Sequence, residues 1–122
     1  MIESIVALLN ADTTLKNLLD GKAAIYPLST SDLGTCIVYD CTCLTDDKVK
    51  RTDRLQLTII ADTLAKSLAI EARVKTLLLT FADLPLNDQI LQVQVNGGGS
   101  LYDEARKKNH RIIYFYIISR SE

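Results

Sequence analysis

Residues 54 to 61 alternate strictly, with Leu55, Leu57 and Ile59 on one side and Arg54, Gln56 and Thr58 on the other. A period of two with one apolar face is the pattern of a strand in an antiparallel sheet that is wet on one side. Asp62 or Thr63 then offers a helix N-cap. A long helix is predicted from there to about Phe81, with Leu64, Leu68, Ala72 and Leu79 as apolar positions. Lys66, Glu71, Arg73 and Lys75 supply its polar surface. A half-buried strand running straight into a helix points to helices stacked on the dry face of a sheet.

The rest of the chain fits around that unit. Residues 2 to 20 read as one broken helix or two short ones. Ile2, Ile5, Val6 and Leu9 recur at helical spacing, Asp12 can cap a second piece carrying Leu15, Leu18 and Leu19, and Gly21 sits at the C-cap. Residues 23 to 28 form a short strand that Pro27 confines to an edge or ends. Residues 35 to 44 form a strand with Ile37, Tyr39, Cys41 and Cys43 on one face and Cys36, Val38, Asp40 and Thr42 on the other. The charged segment 45–53 reads as a mobile loop. Residues 90 to 95 alternate again, and Asn96-Gly97-Gly98-Gly99-Ser100 opens a second mobile loop, 96–110. A final strand covers 111 to 118. The expected fold is α+β: an antiparallel sheet of four to five strands with two helices packed on one face, in the order α-β-β-β-α-β-β.

The 122 residues fit a single domain. A net charge of -1 steers the chain toward neither nucleic acid nor an acidic membrane. No apolar run reaches the ~20 residues that cross a bilayer, and Met1-Ile2-Glu3-Ser4 lacks the basic start of a signal peptide. A cytosolic chain with its three cysteines reduced is the expectation.

No catalytic, cofactor or metal site is expected. Zinc wants four closely arranged ligands, whereas Cys36 points away from Cys41 and Cys43, and His110 is far along the chain. Strand cysteines lack the helix N-terminus or cationic setting that activates a thiol. The glycine run lacks the Gly-Lys-Ser/Thr ending of a phosphate loop. The last strand is more telling. With Ile113, Phe115 and Ile117 toward the helices, Ile112, Tyr114, Tyr116 and Ile118 make the opposite face apolar and aromatic. Such faces commonly mark protein interfaces. The basic residues Lys48, Lys50 and Arg51, and Arg106, Lys107 and Lys108, are further candidate contacts.

The pattern Leu18-Leu19-Asp20-Gly21, Ala24-Ile25-Tyr26-Pro27, Cys36-Ile37-Val38-Tyr39 and Leu55-Gln56-Leu57-Thr58-Ile59-Ile60-Ala61-Asp62, with a helix carrying Ser67, Ala69 and Leu77-Leu78, resembles the tail-completion, or tail-terminator, proteins of long-tailed bacteriophages and prophages. Gly34-Thr35 stands where relatives often carry proline. The resemblance covers nearly the whole chain. It implies a structural virion protein rather than an enzyme. Such a protein forms a ring of itself, generally hexameric, at the head-proximal end of the tail, which ends tail-tube growth and joins tail to head. Implied partners are the tail-tube protein and a head-completion or connector protein, with DNA only as cargo passing through the lumen and no membrane. Its implied location is the host cytoplasm during assembly and then the virion tail. The alternatives are a small ligand-binding or regulatory α+β module, recognisable by an apolar pocket, and an enzyme using one thiol, recognisable by selective alkylation.

Overall fold

The computed structural model describes residues 2–21, 24–27, 34–79, 90–104 and 107–120. The chain runs α1 (Ile2–Ala11), α2 (Thr13–Leu18), β1 (Ile25–Pro27), β2 (Cys36–Asp46), β3 (Lys50–Ala61), α3 (Leu64–Leu79), β4 (Ile90–Asp103) and β5 (Lys108–Arg120). The five strands form one sheet in the order β1-β2-β3-β5-β4. The expected α+β class holds, and so does the element order apart from the division of the first helical segment into two helices. Pro85, Asn87 and Asp88, expected to end the long helix and its connector, lie outside the described residues.

The first helical segment divides where its cap falls. Asp12 takes an extended conformation and its Oδ2 accepts from Leu15 N at 2.8 Å, opening α2. Asp20 and Gly21 then turn through positive φ, and Gly21 N–H reaches the Lys16 carbonyl at 2.9 Å. Three helices therefore cover the sheet rather than two. Their side chains meet Ile37, Leu55, Leu57, Ile59, Val93, Ile113, Phe115 and Ile117 in one core, with Ile5, Leu9, Leu15, Leu19, Ile70, Val74 and Leu78 above.

The sheet is mixed, not purely antiparallel. β1 lies at one edge, as Pro27 requires, but runs parallel to β2 with Ile25 opposite Ile37. The other pairings, β2·β3, β3·β5 and β5·β4, are antiparallel. The closing strand β5 lies inside the sheet, so β4 forms the far edge.

Three local expectations are corrected. The segment 45–53 is mostly strand, and the turn shrinks to 47–49. Asp47 Oδ1 accepts from Val49 N at 2.9 Å and Lys50 N at 2.6 Å, while Asp46 Oδ1 accepts from Lys48 N at 2.9 Å. Acidic residues that suggested a loop instead tie a tight hairpin. The glycine run is likewise part of β4. The register against β5 shifts between Val95 and Gly98, Gly97 takes a φ of 91°, and Gly98 crosses so close to the Ile112 carbonyl that a Cβ there would overlap it. The glycines build a bulge rather than a loop.

The third correction concerns α3. It buries Ser67, Ile70, Glu71, Val74 and Leu78, and leaves Leu64, Leu68 and Ala72 exposed. Two stripes of suitable spacing interleave on this helix, and the sheet selects the one with Ile70 and Val74. Thr63 caps it, with Oγ1 accepting from Lys66 N at 3.2 Å.

Candidate functional site

The inward residues of β3, Leu55, Leu57 and Ile59, are fully buried as their alternation requires. On the outer face, β5 presents Ile112, Tyr114, Tyr116 and Ile118, all half-buried. Arg54 from β3 lies over the Tyr114 ring at 5.2 Å from its centroid, a cation–π contact. Tyr116 sits between Arg54 and Gln94 in the register, and Ile112 between Thr58 and Gly99. The result is an apolar and aromatic band bordered by Thr58, Gln56 and Gln94.

The two basic clusters are not brought together. Lys48, Lys50 and Arg51 belong to the β2–β3 hairpin at one end of the sheet, and Lys107 and Lys108 to the β4–β5 hairpin at the other. Arg106 lies outside the described residues. Arg51 Nε pairs with buried Asp53 at 2.8 Å, and Lys108 pairs with Asp62. These cations serve ion pairs as well as surface.

Polar contacts lock the helices to the sheet. Arg73 grips Asp12 through two bonds, at 2.8 Å and 2.6 Å, joining α3 to the cap of α2. The Arg73 guanidinium holds the Asp12 carboxyl below the usual carboxylate range, with burial opposing and Leu15 N–H assisting. Buried Glu71 bonds Lys75 at 2.7 Å and Arg111 at 2.5 Å, and Arg111 reaches Ser100 Oγ on β4 at 2.7 Å. Burial pushes the Glu71 carboxyl up, but the Arg111 and Lys75 bonds outweigh it and hold it below its ordinary value.

Cys36 is fully buried and part of the core, Cys41 is half-buried on the core side and Cys43 is exposed. Burial, reinforced by the nearby Asp53 charge, pushes the Cys41 thiol up to about 11. That environment opposes thiolate formation. His110 Nε2 lies 3.9 Å from Asp103. Among the described residues no group of three or more His, Cys, Asp or Glu is placed to hold a metal ion. No helix among them is long and apolar enough to cross a membrane.

Sequence reasoning missed the edges of the sheet. Val95, Leu101 and Tyr102 on β4 and Leu44 on β2 are large, apolar and exposed. The signal was present in the apolar residues on both sides of the glycine run, but reading 96–110 as a loop hid it.

The fold has a known counterpart. The chain superposes on one chain of the virion of a native gene transfer agent (GTA) particle with a TM-score of 0.74, covering 96% of this chain and 92% of that chain at 20% sequence identity. At that identity the likeness establishes a shared fold. No family model and no curated protein matches the sequence.

Proposed function

We propose that this chain is a structural protein of a phage-like particle, and within that class a tail-completion protein. In this reading it forms a ring of six copies at the head-proximal end of the tail tube. The ring ends tube growth, docks the head through a connector protein and lets DNA pass through its lumen. The observation that carries the proposal is the near full-length fold shared with a virion chain. The pattern resemblance to tail-completion proteins favours the terminal ring over other virion positions. The half-buried face with Tyr114 and Tyr116 supports an assembly role, because apolar aromatic surface outside the core is suited to protein contact. Work is then done by shape: the sheet and helices form a rigid wedge, and head-to-tail contacts between wedges close a ring.

Light scattering and negative-stain electron microscopy of the purified protein, alone and with isolated tail tubes, provide the test. Closed rings, or a cap on one end of the tubes, are expected. The double variant Tyr114→Glu, Tyr116→Glu should remain folded and lose assembly or capping. A monomer that leaves tube ends bare would overturn the reading.

A further inference from the structure

The two edges of the sheet match each other. β2 and β5 run one way along the sheet, β3 and β4 the other. Two copies set side by side in the same orientation therefore bring β4 of one against β2 of the next in antiparallel sense, the stronger pairing. β1 covers β2 only over Ile37–Tyr39. Among the described residues, no strand pairs with β2 over 40–45 or with the outer edge of β4.

The levels agree as well. Across the sheet Cys41 aligns with Leu55, Phe115 and Val95, and Cys43 with Asp53, Ile117 and Val93. The bulge in β4 falls between Val95 and Gly98, and Gly98 lies at the level of Tyr39, where β1 ends. A bulge bends and twists its strand. The bend comes where an incoming β4 would have to leave β2 and step around β1.

The edges also have the composition of a contact. Leu44 is 43% exposed, Val95 42%, Leu101 60% and Tyr102 51%, and all four lie on these two strands. From Gln92 to Tyr102, β4 carries no charge and no proline. A long strand edge lacking those protections is a template for pairing. Over 40–45, β2 carries only Asp40 as a charge, so nothing there repels the partner strand.

We propose that the partner of both edges is a second copy of this chain: β4 residues 92–95 of one subunit pair antiparallel with β2 residues 40–45 of the next, and the sheet continues across the subunit boundary. Val95 of one copy then lies beside Cys41, with Leu44 and Cys43 close by. The inference rests on the ring reading and specifies how the ring closes.

The test uses the full chain carrying Val95→Cys, treated with a short bis-maleimide at neutral pH and resolved on a denaturing gel, with light scattering of the untreated sample in parallel. Linked dimers and higher multimers are expected, and they should disappear when Cys41→Ser and Cys43→Ser are added. Leu64→Cys, on the exposed face of α3, should give no link. An oligomeric mass without the Val95→Cys link, or with a link only from Leu64→Cys, overturns the strand pairing and leaves the ring reading standing. A monomeric mass at every concentration with no link, from a protein that also leaves the ends of added tail tubes bare, overturns both.

Discussion

Three adjacent glycines in β4 allow an internally controlled test of the bulge. At Gly98 a Cβ would overlap the Ile112 carbonyl oxygen and lie 3.2 Å from Ile112 C and Ile113 Cα. These are backbone atoms of the neighbouring strand, so no side chain can swing aside. Relief requires β4 and β5 to part locally, against the core contacts of Val93, Ile113 and Phe115. Forced overpacking of this kind costs about 1–3 kcal/mol, and Gly98→Ala belongs at the upper end because backbone must move. Gly97→Ala meets nothing within 4 Å, but its φ of 91° strains any side chain, which costs about 1–2 kcal/mol. Gly99→Ala meets nothing within 4 Å and needs no positive φ. It should be neutral or stabilise by up to about 1 kcal/mol through the unfolded chain. In urea, the expected order of stability is Gly99→Ala, then Gly97→Ala, then Gly98→Ala, with equal m-values. Thermal midpoints should follow, Gly98→Ala falling by roughly 10 °C. A Gly98→Ala protein as stable as Gly99→Ala would refute the close crossing and the register built on it.

Two further outcomes follow from the polar contacts and the thiols. Asp12→Ala removes both a helix cap and the Arg73 pair, and should cost about 1–2 kcal/mol at neutral pH. Because the folded carboxyl titrates below the ordinary 3.8, that stabilisation is complete above 3.8 and vanishes as pH falls through the lower, folded value. Urea melts of wild type and variant should therefore converge in acid, and a difference that persists or widens there would contradict the pair. Alkylation under native conditions should modify exposed Cys43 first and half-buried Cys41 slowly, leaving buried Cys36 until the chain unfolds. Mass spectrometry showing Cys41 as the fastest thiol would revive the thiol-enzyme reading.

Local pattern determined much of this protein. The alternation of Leu55, Leu57 and Ile59, the cap at Asp12, the edge position implied by Pro27 and the inward set Ile113, Phe115 and Ile117 are all legible in the sequence, because strand and helix periods and caps act over a few residues. What tertiary structure decided is non-local. The order of strands made β4 an edge and β5 an inner strand. The sheet chose the Ile70–Val74 stripe of α3 over Leu64–Leu68, and Arg111, distant in sequence, allowed Glu71 to be buried. A glycine run reads as flexible by itself and becomes a bulge only when Ile112 lies against it. The candidate contact surface divides the same way. The Tyr114–Tyr116 face follows from period two, whereas the open edges exist only once the strands have found their neighbours, since an edge is a strand's position in the sheet and not a property of its residues.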